Sequence, residues 1–207
     1  MGVDVHAPIA DPSVVALQVT SPLWSRFFTV APLVLIGTRE GDGFDIAPKH
    51  MAMPLGWENF YGFVCSHRHA TYRNALEHGS FTASFPDEEL IVETGLAASG
   101  RLGDATKPVL AALPTFPARV VDGVLVAGCA LYLECELERV VDGFGSNSLV
   151  VGRIVAAAAR EDVLRGGDVD DADLVSRAGV LAYLHPGRFA TVRASLAFPY
   201  PSDFTVE

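Results

Sequence analysis

CSHRHATYRNALEHGSFTASF, residues 65–85, decides the fold of this chain, because it joins a strand, a basic turn, a helix and a second strand without interruption. Residues 61–66 (YGFVCS) are apolar and aromatic between polar neighbours, which is typical of a buried or half-buried strand. Residues 81–85 (FTASF) predict the next strand, and Pro86 ends it. The segment therefore predicts a strand–helix–strand unit with a charged turn at its first corner.

The helix of this unit is predicted over residues 72–78. Thr71 is a residue type that caps helix N-termini, and Gly79 suits the left-handed conformation that ends many helices. The N-terminus of such a helix presents free backbone N–H groups and the positive end of the helix dipole. The sequence therefore predicts an anion-binding site at Thr71.

The charges of the same segment point in the same direction. The chain carries 15 Lys and Arg against 25 Asp and Glu, a formal net charge of -10, yet one short segment holds His67, Arg68, His69, Arg73 and His78. A local basic cluster can bind one anion even where the overall field repels anions. The alternative is a solvated turn whose cations balance nearby carboxylates, and the cluster by itself does not decide between the two.

Length and composition predict one domain. With 207 residues and 22.0 kDa, the chain can bury a substantial core in a single unit over residues 1–207, with residues 1–21 as an N-terminal extension and residues 197–207 as a tail. No run reaches the roughly 18 apolar residues that a membrane span needs, so we expect no membrane partner. Residues 1–13 lack the basic and apolar regions of a secretory signal.

The cysteines predict the cellular compartment of the chain, and its isoelectric point limits the classes of partner that it can bind. Cys65, Cys129 and Cys135 form no CxxC pair, and their odd number argues against a disulfide framework. We therefore expect reduced thiols and a cytoplasmic location. A pI near 5.0 argues against a nucleic-acid partner, because binding a phosphate backbone needs a broad basic face.

Medium-length strand patterns and turn signals follow each other through the rest of the chain. In residues 129–141, Glu134 and its alternate neighbours predict a long strand with one polar face. Residues 27–38 predict a strand in which Pro32 marks a bulge or an edge, and residues 39–43 (REGDG) predict a hairpin turn. Further strands are predicted over residues 120–126, 149–159 with a bulge at Gly152, and 183–196 with a turn at Pro186.

Short helices interrupt these strands. Helical patterns cover residues 86–99 and residues 104–113, the second with Asp104 as its N-cap, and residues 161–184 are weakly helical. Many strands with a few inserted helices predict an antiparallel barrel that carries helical insertions.

Residues 44–56 (FDIAPKHMAMPLG) resume as a strand and then break at Pro48 and Pro54. Irregular backbone leaves N–H and C=O groups free to meet a ligand, so this segment is a candidate pocket wall that includes Lys49 and His50. The composition alone favours the alternative, an ordinary connecting loop in which the methionines fill gaps.

Common catalytic and metal-binding motifs give little support. The chain contains neither a GxGxxG string nor a P-loop string. Cys65, His67 and His69 could converge on zinc, with His50 or His185 as a fourth ligand. Against that site, Arg68 would stand beside the cation and the spacing matches no usual zinc motif, so no metal is expected. The acidic run over residues 168–173 lacks the Gly and Glu of a calcium loop.

The order of the segments resembles the flavin reductase-like, FMN-binding split-barrel family. The matching strings are PLVLIGTREGDGFDIAP, VCSHRHATYRNALEHGSFTASFP, YLECELERVV, VGRIV and YLHPGRFATV, which together span residues 32–192. The resemblance implies a mainly β fold, a six-stranded Greek-key split barrel with short helical insertions. It also implies a homodimer that holds one FMN per subunit near the dimer interface.

The resemblance also implies roles for particular residues. Arg68 and Thr71 match the residues that meet the FMN phosphate, with Ser66 and His67 nearby. His185 matches a position close to the flavin or the nicotinamide, and is our candidate catalytic residue. The expected flavin-ring contacts come from Asp45, Ile46, Ala47, Pro48, Lys49 and His50. Asp45 departs from the family pattern, which has Asn in many members.

The resemblance implies an NAD(P)H-dependent flavin reductase that passes hydride from NADH or NADPH to FMN and can serve a partner monooxygenase. Hydride transfer of this kind needs no side-chain acid, base or nucleophile, which agrees with the absence of a catalytic triad motif. Two alternatives stay open: an FMN-containing electron carrier without a nicotinamide site, and a dimeric barrel that binds another anionic ligand.

Overall fold

The computed structural model describes residues 11–103, 106–166 and 168–200. In chain order, the strands are β1 (Thr29–Pro32), β2 (Val34–Glu40), β3 (Gly43–Lys49), β4 (Ala52–Pro54), β5 (Phe60–Ser66), β6 (Ser80–Phe85), β7 (Thr115–Pro117), β8 (Val124–Val126), β9 (Leu131–Phe144), β10 (Asn147–Ala159), β11 (Leu181–His185) and β12 (Arg188–Thr191). The α-helices are α1 (Ala70–His78), α2 (Ile91–Leu96), α3 (Val109–Ala112) and α4 (Asp171–Ala178), and 3-10 turns cover Glu88–Leu90 and Glu161–Val163.

The main sheet is antiparallel and curls into a half-barrel, with strand order β3-β2-β6-β9-β10-β5-β4. The strands β1, β11 and β12 form a second sheet, and β7 and β8 form a separate two-stranded pair. The mainly β, split-barrel class with short helical insertions is confirmed. The main sheet has seven strands rather than six, because the short strand β4 adds to the edge of β5.

The core of the half-barrel lies where β5, β6, β9 and β10 face each other. Phe63 and Phe81 pack edge to face with ring centroids 5.0 Å apart, and both are fully or almost fully buried. Gly152 lies beneath Phe81, where an added Cβ would stand 2.5 Å from the ring and 2.8 Å from Cβ of Cys135. The predicted bulge at Gly152 is confirmed by a register shift between Val151 and Gly152.

The chain changes sheets at Pro32. The predicted strand over residues 27–38 is two strands, because β1 pairs with β11 while β2 pairs with β3 and β6. The backbone N–H of Leu33 donates to the carbonyl of Leu181 at the crossing point. The predicted hairpin between β2 and β3 is confirmed, and Gly41 takes the left-handed conformation (φ 54°) that its two-residue turn requires.

Glu134 contradicts the prediction of a uniformly polar face on β9. Its side chain is buried, and its carboxylate accepts hydrogen bonds from the backbone N–H groups of Arg119, Val120 and Val121 at 3.0, 2.6 and 3.1 Å. The alternating pattern could not reveal this role, because the three donors come from a loop rather than from a strand. Glu134 therefore ties the loop before β8 to the main sheet.

The inserted helices are shorter than the sequence predicts. The segment 86–99 begins with a 3-10 turn capped by Asp87 and continues as α2. Of the described residues in the segment 104–113, only Val109–Ala112 are helical, and the predicted cap at Asp104 lies outside the described residues. Among the described residues, no helix is long and apolar enough to cross a membrane.

We expect Gly152→Ala to lower the free energy of unfolding by about 1–3 kcal/mol, because the new methyl group would overlap Phe81 in a closed core. Denaturant titration of both proteins measures the difference. Gly95→Ala is the matched control, since a Cβ at that helical position meets no atom within 4 Å. Equal losses in the two variants would contradict the role of the contact with Phe81.

The Glu134→Gln variant tests the buried carboxylate. Burial raises the pKa of Glu134, but the three backbone hydrogen bonds outweigh it and leave the pKa below its usual value. The stabilisation is therefore present above the unfolded-state pKa of about 4.3 and is lost as the pH falls through the folded-state pKa.

We expect Glu134→Gln to lower the free energy of unfolding near neutral pH by about 1–3 kcal/mol, with a smaller loss in acid. Chemical unfolding over a series of pH values measures it, with the exposed Glu136→Gln on the same strand as the control. A loss that stays constant down to strongly acidic pH would show that charge is not the cause.

Candidate functional site

A cavity of about 980 Å³ lies between four parts of the chain: strand β3, the turn before α1, the segment from α2 to α3, and the turn from β11 to β12. Cationic and imidazole side chains are frequent in its wall: Lys49, His50, Arg68, His69, Arg73, Arg101, Lys107 and Arg188. Two carboxylates, Glu40 and Asp45, also line it. The cavity is therefore a basic site in an acidic chain.

The turn before α1 forms one end of the cavity. The helix begins at Ala70 with His69 as its N-cap, so the prediction that Thr71 is the N-cap is wrong. The helix starts earlier because the N–H of His69 donates to the carbonyl of Ser66 and closes the turn at once. Thr71 instead lies in the first helical turn, buried, with its hydroxyl 3.4 Å from Nζ of Lys49. The predicted helix end at Gly79 is confirmed by its left-handed conformation.

This end concentrates positive charge. Nη1 of Arg73 donates to the carbonyl of Arg68 at 2.7 Å and holds the turn. Burial, followed by the charges of Lys49 and Arg73, lowers the pKa of His69. Burial also lowers the pKa of Lys49. A bound anion would favour the charged forms of His69 and Lys49 and so offset the lowering of both pKa values.

The alternative, a turn whose cations balance nearby carboxylates, does not hold for the residues that face the cavity. In the described part of the chain, no carboxylate forms an ion pair with Lys49, Arg68 or Arg73. The two carboxylates of the cavity wall, Glu40 and Asp45, pair with Arg101 and Lys107 instead. The cationic turn is therefore open to an anion from outside the chain.

Strand β3 forms the adjoining wall. Asp45, Ala47, Pro48, Lys49 and His50 all line the cavity, as expected for a pocket wall. The side chain of Ile46 is buried in a hydrophobic cluster with Leu35 and does not line the cavity. The segment stays in strand conformation up to Lys49, which corrects the prediction that it breaks at Pro48.

Asp45 is held by two cations from the segment between α2 and α3. Nζ of Lys107 lies 3.0 Å from Oδ1 of Asp45 and donates to the carbonyl of Ile46 at 2.7 Å. Arg101 lies 3.7 Å from Asp45 and pairs with Glu40. Sequence patterns do not point to Lys107 or Arg101, because both residues lie far along the chain from Asp45 and belong to no motif.

Three rings meet at the other end of the cavity. His50 packs against Tyr183 with centroids 4.4 Å apart and against His185 at 5.6 Å. His50 and Tyr183 line the cavity, whereas His185 does not. Burial and the neighbouring His185 lower the pKa of His50. The fold therefore brings the catalytic candidate His185 close to His50, although the two residues are 135 positions apart in the sequence.

Ser66 and His67 lie outside the cavity lining. The imidazole of His67 contacts Oγ of Ser148 at 2.5 Å, lies 3.5 Å from the carboxylate of Asp142, and packs against Tyr72. Oγ of Ser66 is 3.4 Å from the backbone N–H of Arg68, which supports the turn. These two residues therefore shape the turn instead of facing the cavity.

The candidate zinc trio does not assemble. Cys65 is buried with its sulfur 3.8 Å from Nδ1 of His69, while His67 turns toward Ser148. Across the described ranges, no group of three or more His, Cys, Asp or Glu side chains could hold a metal ion.

The cavity also contains polar groups that need a partner. Oγ1 of Thr94 and Nε2 of His50 are buried and make no hydrogen bond to any described residue, and both residues line the cavity. Buried polar atoms are almost always paired, so these two indicate a ligand or water. Basic residues near the turn before α1, together with unpaired polar atoms elsewhere in the wall, fit a nucleotide such as FMN.

Comparison with protein-family models gives a match over most of the chain. The model of the family described as flavin reductase like domain matches residues 25–191. A search of curated proteins finds no match.

Several solved structures share the fold. Flavoredoxin from Methanosarcina acetivorans is 18% identical, with a TM-score of 0.74 over 91% of this chain and 96% of that chain. Nitrilotriacetate monooxygenase component B from Bacillus cereus is 17% identical, with a TM-score of 0.76 over 91% and 100%. An FMN-binding protein from Thermus thermophilus, with bound 1-cyclohex-2-enone, is 20% identical, with a TM-score of 0.73 over 89% and 99%.

Inorganic phosphate should raise the pKa of His69, because an anion at this end offsets the repulsion from Lys49 and Arg73. A pH titration of the imidazole signals by NMR, with and without phosphate at constant ionic strength, measures the change. His78 at the far end of α1 serves as the internal control. An equal response of the two imidazoles would show a general salt effect and contradict the anion site.

Proposed function

Because the chain belongs to the flavin reductase like domain family, we propose that it binds FMN in this cavity and reduces it with NADH or NADPH. The observation that carries the proposal is the cavity itself, in which an unneutralised basic end adjoins the wall of β3. The T. thermophilus relative is described as FMN-binding, which supports the choice of flavin.

Under this proposal the turn before α1 holds the phosphate. The backbone N–H groups at the start of α1 and the guanidinium of Arg68 supply the donors, and Lys49 adds charge next to Thr71. Arg73 keeps the carbonyl of Arg68 turned away from the anion by donating to it. Ser66 and His67 support this turn from behind.

The ring of FMN would lie along residues 45–48, with Lys49 and His50 at its edge. FMN, when bound, supplies the atom that accepts the hydride. The protein therefore needs only to position and orient the two reactants and to exclude water from the site. The buried hydroxyl of Thr94 and Nε2 of His50 offer polar contacts on two sides of the cavity. A cationic Lys49 favours negative charge that develops beside it.

We propose that His185 acts on the nicotinamide side of the cavity through His50 and Tyr183, since these two residues line the cavity and His185 does not. Its ring lies beside Tyr183 and His50, and Nδ1 is buried without a hydrogen-bond partner among the described residues. The imidazole would place and orient the donor. The chemistry does not require it as an acid or a base.

The physiological setting follows from the same proposal. Component B of nitrilotriacetate monooxygenase shares the fold, which supports a role in supplying reduced flavin to a partner monooxygenase. The homodimer with FMN near its interface and the cytoplasmic location stay predictions of this proposal.

Anaerobic reduction tests the proposal directly. Purified protein supplied with FMN should lose the absorbance of oxidised flavin when NADH or NADPH is added. Flavin that binds but is not reduced by either nucleotide would favour an electron carrier. Failure to bind FMN at all would favour a barrel for another anionic ligand.

We expect the double variant Arg68→Ala with Thr71→Ala to bind FMN more weakly by a few kcal/mol, since charge-assisted hydrogen bonds to the phosphate are lost. The affinity for riboflavin, which lacks the phosphate, should change little. Fluorescence titration with both flavins measures the two affinities.

The exposed Arg139→Ala, outside the cavity lining, is the control for loss of a positive charge. A parallel loss of riboflavin affinity would mean that the variant damages the whole cavity. An unchanged FMN affinity would remove the phosphate assignment.

A further inference from the structure

Lys107 and Asp45 form an ion pair inside the wall of the cavity. The exposed fractions of their side chains are only 5% and 6%, and the pair distance is 3.0 Å. Lys107 also donates to the carbonyl of Ile46, so one ammonium group holds two consecutive residues of β3. This contact joins the segment after α2 to the strand that forms the proposed ring wall.

Such a pair is not explained by stability alone. Removing two charges from water costs several kcal/mol per ion, and apolar replacements of buried pairs are often neutral or stabilising. Either partner alone would leave a buried charge beside the cavity. The position of the pair, at the ring wall rather than in the hydrophobic core, indicates a role toward what the cavity holds.

The same wall contains a second ion pair, which makes the net charge of the wall zero. Arg101 pairs with Glu40 and lies 3.7 Å from Asp45, so the four charges of this wall sum to zero. Arg101 is about one third exposed, whereas Lys107 is almost fully buried. The charge of Lys107 is therefore less screened by water, and it offsets the charge of Asp45 more strongly than Arg101 does.

We propose that Lys107 is a positioning residue that neutralises Asp45 and fixes it at the ring wall, so that the cavity accepts the negative charge that FMN gains on reduction. Hydride from the nicotinamide brings two electrons and one proton, which adds one negative charge to the flavin until a second proton is taken up from water. This inference rests on the proposed function. Without Lys107, the carboxylate of Asp45 would repel that charge.

The test compares the affinities for oxidised and for reduced FMN, measured anaerobically in wild type and Lys107→Met. We expect the affinity for reduced FMN to fall at least tenfold more than the affinity for oxidised FMN. For a two-electron couple, a tenfold change corresponds to a midpoint potential about 30 mV more negative. Both proteins are measured at the same pH and ionic strength.

A charge cycle separates neutralisation from packing. Asp45→Asn should favour reduced FMN, because it leaves the cation of Lys107 uncompensated. The double variant Asp45→Asn with Lys107→Met should return the ratio of the two affinities toward wild type. Arg160→Met is the matched control, since it removes a partly buried cation paired with Asp87 outside the cavity lining.

Each result decides between the possibilities. If the ratio of affinities is unchanged in Lys107→Met, or if it shifts equally in Arg160→Met, the inference is wrong. If Lys107→Met does not fold, Asp45→Asn is compared with the double variant, and equal ratios there would reject the inference. If wild type binds no FMN in either state, the proposed function fails and the inference fails with it.

Discussion

The site depends on one electrostatic constraint: several cations are held together at the start of α1 without carboxylates to neutralise them. Lys49 is partly buried, and burial lowers its pKa. Its hydrogen bond to Thr71 is long, at 3.4 Å, and Thr71 carries no charge. A fold keeps such an arrangement against its cost in stability when a ligand completes it.

The wall that carries Glu40 and Asp45 explains why these cations are not neutralised, although the chain has a net charge of -10. The carboxylates of Glu40 and Asp45 face the same cavity, but Arg101 and Lys107 already occupy them. Pairing within the wall therefore protects the basic end from the protein's own acidic groups. The long segment that carries Arg101 and Lys107 is part of the site, although it contributes little regular structure.

Sequence patterns predicted the parts of the molecule that local physics controls. The strand–turn–helix–strand unit, the hairpin after Glu40 and the bulge at Gly152 follow from periodicity, turn residues and the absence of a side chain. The start of α1 was misplaced because tertiary contact buries Thr71 and leaves the cap to His69. Helix length was overestimated in residues 86–113, where residues 97–101, which follow α2, line the cavity instead of extending a helix.

Periodicity and turn residues do not predict contacts between distant segments of the chain. Glu134 looks like a solvent-facing residue of a strand, yet its carboxylate binds a loop. Lys107 lies 62 residues from Asp45, and no spacing rule connects them. A buried carboxylate needs a donor, but the sequence does not say which lysine or arginine will reach it. Side chains of this kind become interpretable once the topology places their segments together.

The two ends of the cavity differ in net charge, and that difference orients a nucleotide. A phosphate gains most beside Arg68, where the cations lack partners, and would gain little beside Glu40 and Asp45, because Arg101 and Lys107 already pair with them. An uncharged ring loses little against a wall whose charges already cancel. The same contrast explains why the ring end can respond to a change in charge, since a balanced pair such as Asp45–Lys107 adds no field of its own.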